Sequence, residues 1–420
     1  MAVSRRLGAA LVIVPAATWA LVSACTFGNL AGYAIETCPS PLGMTTTVQA
    51  AGSLTGMIVT FTNAGDTAIA AYPSSPNNTC IIGVGETTTT TGFLAPGCSL
   101  FPLPAGSSVY QPSIVPLSSG YASAFISKGA CPNGSLGYAF SGAGSMGTLV
   151  DACPASGAAL PSVTPLGDGT TALVTYYQVP LGSRSDPASD CSMALPAPLV
   201  AALINGATTS SPTFAPLGSP DGGLGEAGAG PSVAPITLAG DGISIRPAAL
   251  LSVPGQPQAL VAAPHGGSVA LWTVDSKLTV TDPIPVPLMG ATAVSMAAGA
   301  DGSGQVAIVG ELGCAPQAIG LAIGSQTGGF TATTVVAAGS AAAIQPSVAW
   351  VARDQDWVVS WISFEGGPPQ AMARRFQADG TPLGDAISSG GATGTVVTTG
   401  GHLFSYAGDT AFQDTSLVCL

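Results

Sequence analysis

The amino-acid sequence predicts an all-β fold assembled from many short strands. Its 420 residues include 56 glycines and 35 prolines, and 47% of the residues are hydrophobic. Helix-favouring blocks of Lys, Glu and Leu are nearly absent, so the composition favours strands joined by turns. One segment, from Pro346 to Gly391, consists of four strand-like runs separated by turn residues, and echoes of its opening recur along the chain.

The segment from Pro346 to Gly391 is the reference for the other repeats. We expect its strands at residues 347–352, 357–362, 371–376 and 385–388. The intervening stretches 354–356, 366–369 and 378–381 are rich in Asp, Gly and Pro, which favour turns and interrupt strands. Four short strands in a row predict one antiparallel sheet.

Related openings mark further copies of this unit. They begin at Pro112, Pro161, Pro247, Met296, Pro346 and Thr395. Most neighbouring marks lie about 50 residues apart, which is the length of a β-propeller blade, and such blades bury their faces by stacking around a ring. Residues 54–110 are expected to form a less regular first blade, and residues 210–242 a long loop with an outer strand near 236–238.

We therefore predict a single β-propeller domain at residues 46–420. Seven four-stranded blades fit the repeats best, and six or eight stay open. The last repeat is too short for four strands, so an N-terminal strand near residues 45–51 is expected to complete it and close the ring, as closed sheets avoid exposed edges.

The N-terminus has the features of an export signal at residues 1–24. A basic start with Arg5 and Arg6 precedes an apolar run over residues 7–21 and then small residues. An uncleaved transmembrane helix is the alternative, but Pro15 interrupts the run and no basic cluster follows it.

The end of this segment, Val-Ser-Ala-Cys at residues 22–25, resembles the bacterial lipobox. The resemblance implies that Cys25 carries lipid, that residues 25–45 are a tether, and that the anchor alone contacts the membrane. Thr26, by resemblance to Gram-negative lipoproteins, implies an outer-membrane location in the bacterial cell envelope, with ordinary secretion as the alternative.

Eight cysteines remain beside Cys25, an even number that fits four disulfides in an oxidising compartment. The pairs close in sequence are Cys80 with Cys98 and Cys131 with Cys153. Cys38 and Cys419 lie at opposite ends of the chain, where a bridge would staple the closure of the ring, and Cys191 with Cys314 is left by elimination. Zinc binding is disfavoured because the sequence has no Cys-x-x-Cys pair.

Residues 346–384, PSVAWVARDQDWVVSWISFEGGPPQAMARRFQADGTPLG, resemble repeats of bacterial secreted propeller proteins. The shared pattern is PSVA, two tryptophans, ARRF and DGTPLG. The resemblance covers this one repeat, because the ARRF and DGTPLG parts are lost elsewhere. Members of such families are mostly without assigned activity, so the resemblance implies a fold and carries no functional residues.

Aromatic and basic side chains of the reference segment have structural explanations. Trp350, Trp357 and Trp361 could stack on sugars or peptides, but both faces of a propeller sheet are buried, so we expect them in the core. Arg374 and Arg375 alternate along one strand, so one is expected to face a neighbouring blade in an ion pair and the other to face solvent.

The acidic and histidine side chains are weak candidates for catalytic or metal-binding roles. Asp354, Asp356 and Glu365 could serve glycoside chemistry only if the fold placed them around one cleft. His265 and His402 are expected to be loop or strand residues and not general bases. Each Asp-Gly pair offers one acid, too few for calcium, so we expect plain turns at Asp168-Gly169, Asp241-Gly242, Asp301-Gly302 and Asp379-Gly380.

These observations bound the function without deciding whether the chain is an enzyme. A net charge of −12 disfavours nucleic-acid binding, and no cofactor, metal or catalytic motif is evident. The prediction is a non-catalytic, envelope-anchored propeller that binds or scaffolds a protein or glycan partner. The alternative is an extracytoplasmic glycosidase or lyase that acts on polysaccharide.

Overall fold

A computed structural model describes the backbone at residues 42–49, 60–64, 67–75, 78–86, 91–98, 108–117, 120–128, 135–140, 145–150, 156–167, 170–180, 196–205, 236–242 and 244–417, the last range without 254, 300–303, 314–316, 337–342, 366, 393 and 408–410. Side chains are described for most of residues 156–417 within these ranges and for parts of 112–138. No helix with the length and apolarity of a membrane span occurs in these ranges.

The described residues form 28 strands in seven antiparallel four-stranded sheets. We number the sheets as blades 1 to 7 and give each from its innermost strand outwards. Blade 1 comprises β2 (Thr60–Ala64), β3 (Thr67–Ser75), β4 (Asn78–Glu86) and β5 (Thr91–Cys98). Blade 2 comprises β6 (Ser108–Leu117), β7 (Gly120–Lys128), β8 (Ser135–Phe140) and β9 (Ser145–Val150). Blade 3 comprises β10 (Ser156–Leu166), β11 (Thr171–Pro180), β12 (Ala197–Asn205) and β13 (Ile236–Gly242).

The remaining blades have the same order. Blade 4 comprises β14 (Ala249–Ser252), β15 (Gln258–His265), β16 (Ser268–Asp275) and β17 (Ile284–Val286). Blade 5 comprises β18 (Ala291–Ala298), β19 (Gln305–Leu312), β20 (Ala318–Ser325) and β21 (Gly329–Val336). Blade 6 comprises β22 (Ala343–Val351), β23 (Asp356–Ser363), β24 (Gln370–Phe376) and β25 (Pro382–Gly391). Blade 7 comprises β26 (Gly394–Val397), β27 (His402–Ala407), β28 (Ala411–Leu417) and β1 (Leu42–Gln49).

The blades close into a ring. Each innermost strand contacts the innermost strand of the next blade, from β2 through β6, β10, β14, β18, β22 and β26 and back to β2. The first and last strands of the chain pair with each other, since β1 lies antiparallel to β28 with Leu42 opposite Leu417. This is a seven-bladed β-propeller closed by its two chain ends, and it confirms the predicted fold and the predicted closure.

The ring has two faces with different connections. On one, which we call the link face, the chain passes from the outer strand of a blade to the inner strand of the next, and the second strand turns into the third. The turns between first and second strands and between third and fourth strands lie on the opposite face. On the link face the Gly290 N–H donates to the Gly267 oxygen, and the Gly313 N–H donates to the Gly290 oxygen, both at 2.9 Å, which joins blades 4 and 5.

The serine that follows the proline of a repeat mark links neighbouring blades in two places. The Ser113 hydroxyl accepts a hydrogen bond from the Val163 N–H of the next blade at 3.2 Å, and the Ser347 hydroxyl accepts one from the Val397 N–H at 3.3 Å. Both links span 50 residues. The sheet register shifts just before each serine, between Tyr110 and Ser113 and between Ile344 and Ser347. The motif that marks the repeat therefore encodes a bulge and a contact with the next blade.

The second strand of blade 6 is buried along its whole length. All residues of β23 are buried, whereas the outermost strand β25 of the same blade is largely exposed. Trp357 and Phe376 are fully buried, each at 0% exposure. A strand whose two sides are both covered can be apolar throughout, which explains why the second strands lack an alternating polar pattern.

The expected strands of the reference blade agree with β22 to β25, and the outer strand predicted near residues 236–238 is β13. Two details differ. Met296 lies beyond the register shift of β18, opposite Ile308, whereas Pro346 lies within the register shift of β22, so the mark at Met296 was out of phase with the blade. Asp241-Gly242 ends β13, with Gly242 opposite Ala197, so the turn predicted there was wrong because strand pairing continues through the glycine.

Candidate functional site

The three tryptophans belong to the core, as the sequence predicted. Trp350 is 6% exposed, Trp357 0% and Trp361 4%. They pack with β-strand residues of blade 5, and the rings of Trp350 and Trp357 meet edge to face with centroids 5.0 Å apart. Because no face of these rings reaches solvent, they do not provide a stacking platform for a ligand.

The proposed glycosidase carboxylates do not share a cleft. Asp356 begins β23 on the opposite face, and Glu365 follows the end of β23 on the link face. Eight residues of strand at about 3.3 Å each separate them by more than about 20 Å, whereas glycosidase carboxylates lie within about 10 Å. Asp356 is moreover buried in an ion pair with Arg375. Asp354 lies in the turn just before Asp356 and pairs with Arg353, and burial together with the charge of Asp354 raises the pKa of Asp356. Each of these two neighbouring acids is therefore held by an arginine, and Glu365 is distant from both.

One arginine is buried in an ion pair, as expected, but its partner belongs to the same blade and not to a neighbouring one, and the other arginine is half-buried. Arg375 is 4% exposed and binds Asp356. The Arg374 Nε donates to the Gly384 oxygen at 3.0 Å, and its guanidinium lies 5.8 Å from the ring centroid of Phe376. Both side chains stabilise blade 6 and leave no basic patch there.

The histidines are structural residues of their strands. His265 ends β15, and its ring lies 5.8 Å from that of Trp272. His402 begins β27, is 3% exposed, and its Nδ1 lies 2.9 Å from Oδ1 of Asp414, which is also buried. The Asp414 carboxylate orients the imidazole inside blade 7.

The Asp-Gly pair at Asp379-Gly380 is a turn between β24 and β25, as predicted. The carboxylate Oδ1 of Asp379 accepts a hydrogen bond from the Thr381 N–H at 2.8 Å, and Gly380 has a positive φ of 89°. The Thr381 N–H and hydroxyl lower the pKa of Asp379. The pairs at residues 168–169 and 301–302 lie outside the described residues. Within the described part of the chain, His, Cys, Asp and Glu side chains do not gather in threes around a point that could hold a metal ion.

The backbone bears on one predicted disulfide. Cys80 in β4 lies directly opposite Cys98 in β5. Opposite residues of antiparallel strands have Cα atoms about 4.5 to 5.5 Å apart, within the range that a disulfide spans. The pairing of these two cysteines stays a prediction. The lipidation site and the other disulfide candidates lie outside the described residues: Cys25, Cys38, Cys131, Cys153, Cys191, Cys314 and Cys419.

The strand register also brings the ends of the chain together. Because Leu42 pairs with Leu417, the segments that hold Cys38 and Cys419 leave the same end of the β1–β28 pair. The predicted bridge between these cysteines is therefore compatible with the closure of the ring, and it too stays a prediction.

A buried carboxylate on the link face was missed by the sequence reasoning. Glu311, near the end of β19, is 0% exposed. Its Oε1 accepts a hydrogen bond from Nε2 of Gln317 at 2.7 Å, and its Oε2 accepts one from the backbone N–H of Gln345 at 3.2 Å. The Thr292 hydroxyl donates to its backbone oxygen at 3.3 Å. Glu311 therefore joins the starts of blades 5 and 6.

Arg246 is the charged counterpart of Glu311. It precedes β14, and the neighbouring Ser244 hydroxyl and Ile245 N–H both bind the Thr292 oxygen, at 3.3 and 3.0 Å. Burial raises the pKa of Glu311 and lowers the pKa of Arg246, and the attraction between the two charges opposes both shifts. Glu311 is fully buried, and Arg246 is half-buried with its Nε shielded from solvent.

A weak signal in the sequence could have indicated this cluster. Glu311 interrupts an apolar strand, QVAIVGEL, and Arg246 directly precedes the repeat mark Pro247. Near the same end of β11, the second strand of blade 3, lies the buried Tyr177. Burial raises the pKa of Tyr177 to about 12.

Two large apolar side chains are exposed in the described part of the chain, and both lie on the link face. Met289 lies in the link between β17 and β18 and is 68% exposed. Phe364 directly follows β23 and is 41% exposed. Together with Arg246, Gln317 and Gln345 they make an arc over blades 4 to 6, which we call the link-face arc.

Comparison with known proteins gives a likeness of fold only. No family model matches the chain, and no curated protein matches its sequence. Solved structures do match. A structure of streptogramin B lyase covers 89% of this chain and 98% of its own, at 10% identity and a TM-score of 0.43. The β-propeller domain of Cps50 (Swd1) from Myceliophteria thermophila covers 90% of this chain and 99% of its own, at 9% identity and a TM-score of 0.46.

Proposed function

We propose that this chain is a non-catalytic binding propeller, tethered to the bacterial cell envelope by lipid on Cys25. The observation that carries the binding role is the exposure of Met289 and Phe364 on the same face of the ring. Both residues lie on connecting segments, and the loops of a rigid scaffold commonly carry its binding residues. The separation of Asp356 from Glu365 supports binding over polysaccharide cleavage.

The envelope location rests on the residues that precede the ring. The export signal at residues 1–24 and the lipobox-like ending at Cys25 support an acylated N-terminus, and Thr26 supports the outer membrane. Membership among bacterial secreted propeller proteins with the PSVA and DGTPLG repeat belongs to the same proposal, and the repeat of blade 6 supports it. Disulfides would suit this oxidising location.

Labelling with a radioactive or clickable palmitate tests the anchor. The full chain is expressed in a Gram-negative host beside its Cys25→Ser variant. Lipid incorporation and recovery in the outer-membrane fraction are expected for the wild type and not for the variant. An unlabelled wild-type chain in the culture medium would show ordinary secretion instead.

Affinity capture from envelope fractions tests the binding role, with Cys25→Ser as the unanchored control. Because the ring does not include Cys25, both chains are expected to retain the same saturable ligand. A reducing-sugar assay with purified chain and envelope polysaccharides is expected to show no release. Catalytic release of sugar or unsaturated uronic ends would contradict the proposal and favour the polysaccharide-acting enzyme.

A further inference from the structure

Two ionisable side chains lie where the last blade of the ring meets the first. On one side of the blade 7 sheet, Leu403 and Leu417 pack with apolar side chains of blade 6. Neighbouring residues of a strand face opposite sides of a sheet, so His402 lies on the side that faces blade 1. Asp414 lies on this side too, because it pairs with Phe404. Strands β26 and β27 contact β2 and β4 of blade 1, and we call this interface the seam.

The imidazole and the carboxylate are buried together at the seam. His402 is 3% exposed and Asp414 4%, and Nδ1 of the imidazole lies 2.9 Å from Oδ1 of the carboxylate. An ionised carboxylate only accepts hydrogen bonds, so the Nδ1–H donates to it. With a second proton on Nε2 the pair is an ion pair without net charge. Without that proton, the pair places one net negative charge inside the seam.

The strands around the pair offer no cation to balance such a charge. β1, β2, β3 and β26 contain no Asp, Glu, Lys, Arg or His residue, and β27 and β28 contain only this pair. Tyrosine and cysteine are ordinarily uncharged at neutral pH, and the strands of blades 7 and 1 contain five of them: Tyr72, Cys80, Cys98, Tyr406 and the neighbouring Tyr110 of blade 2 are the residues of these types from β1 to β6 and from β26 to β28.

The charged residues at the ends of the strands of blades 7 and 1, and in their connections, are all acidic. They are Asp66, Glu86 and Asp409. Nearby carboxylates favour the protonated form of an imidazole. On the other side of the blade 7 sheet, the cations of blade 6 are bound to carboxylates of their own blade, Arg353 to Asp354 and Arg375 to Asp356.

We infer that the His402–Asp414 pair is a pH-sensitive latch of the ring closure, which holds blades 7 and 1 together while His402 is an imidazolium. A buried net charge costs free energy, so the loss of the Nε2 proton loosens the seam. The stabilisation by the pair is therefore present at mildly acid pH and is lost as the pH rises through the titration of His402. The latch acts on the closure of the ring and does not depend on the proposed binding function.

The two histidines of the chain make the latch measurable. In a His265→Gln variant of the full-length chain, His402 is the only imidazole, and nuclear magnetic resonance of ¹³C-labelled histidine follows its titration between about pH 5.5 and about pH 8.5. Hydrogen exchange, corrected for the intrinsic rate at each pH, measures the protection of the β27 and β28 amides. Protection should fall at least about tenfold across the titration of His402, since one unit of differential proton affinity corresponds to a factor of ten.

Three variants separate the latch from other effects. Asp414→Asn keeps the shape of the side chain and removes its charge, so it should abolish the fall in protection and lower the pH of the His402 titration by at least about one unit. His402→Gln leaves the carboxylate without a cation, so protection should be low at both ends of the pH range. Glu311→Gln is the matched control, because it changes a buried carboxylate in another interface, and it should leave the pH dependence of the seam unchanged.

The inference fails if Asp414→Asn retains the pH dependence of the wild type, or if protection falls where the His402 signal does not change. An equal fall in every blade would also overturn it, because that result would mean global unfolding and not the opening of one interface. If Asp414→Asn does not fold, as judged by near-ultraviolet circular dichroism, the His265→Gln variant decides alone. Coincidence of the His402 titration with the loss of β27 and β28 protection supports the latch, and separate transitions refute it.

Discussion

The link between Ser347 and Val397 can be isolated by one pair of substitutions. Ser347→Ala removes the acceptor of the buried Val397 N–H, and an unsatisfied buried donor costs about 1 to 3 kcal/mol of the free energy of unfolding. Ser360 lies directly opposite Ser347. Its hydroxyl is buried and has no hydrogen-bond partner among the described residues. Ser360→Ala therefore deletes the same atom at the same depth without breaking a bond.

Ser347→Ala and Ser360→Ala are expected to change the free energy of unfolding by different amounts or in opposite directions. Ser347→Ala should lower the free energy of unfolding by about 2 kcal/mol, whereas Ser360→Ala should leave it unchanged or raise it by up to about 1 kcal/mol. Urea unfolding followed by tryptophan fluorescence measures both, with slopes compared to verify the same transition. Amide hydrogen exchange adds a local measurement, because only Ser347→Ala should increase the exchange rate of the Val397 N–H.

Equal losses in the two variants would refute this reasoning, since they would mean that the cost comes from the lost volume and not from the link. Unchanged protection of the Val397 amide in Ser347→Ala would refute it independently. The Ser113→Ala variant offers a repeat of the experiment at the Val163 N–H, in the interface of blades 2 and 3. Ser113→Ala is likewise expected to lower the free energy of unfolding.

Three further predictions concern other parts of the ring. Because burial raises the pKa of Glu311 above its ordinary value of 4.5, its contribution is present below that value and is lost as the pH rises through the folded pKa. Glu311→Gln should therefore gain stability relative to the wild type between pH 4 and pH 7, and a relative loss in urea titrations would show that the attraction of Arg246 outweighs burial. Non-reducing peptide mapping should find Cys80 joined to Cys98, and free thiols at both positions would contradict the register argument. Trp357→Ala should cost about 3 to 5 kcal/mol in urea unfolding, and a loss below about 1 kcal/mol would mean that the core collapses around the missing ring.

The features that could be predicted from the sequence are those with local signals that repeat along the chain. Turn residues between Pro346 and Gly391 and the Pro-Ser-Val openings predict blade length, strand order and ring closure, because each is set by neighbours within one sheet. The same signals are ambiguous where a glycine can continue a strand, and this is why Asp241-Gly242 was misjudged. The openings also shift where a blade lacks the motif, as at Met296.

Local patterns in the sequence could not predict the cluster around Glu311. Gln345 is 34 residues from Glu311 in the sequence and binds its carboxylate through the backbone N–H. Because any residue except proline could make this hydrogen bond, the residue type at position 345 does not indicate the contact. Arg246 reaches the same place from another blade. The exposure of Met289 and Phe364 likewise depends on how links and turns rise from the ring. Sequence periodicity predicts the strands and blades of a propeller, but which side chains lie exposed or buried on its two faces depends on tertiary contacts.

The pairing of β1 with β28 also fixes where the N-terminal segment leaves the ring. Since β28 ends on the opposite face and Leu42 pairs with its last residue, the chain before Leu42 emerges on the side away from Met289 and Phe364. If Cys25 carries lipid, the anchor pulls from the rim of blade 7 on that side. The link-face arc would then be free of the point at which the tether is attached to the ring.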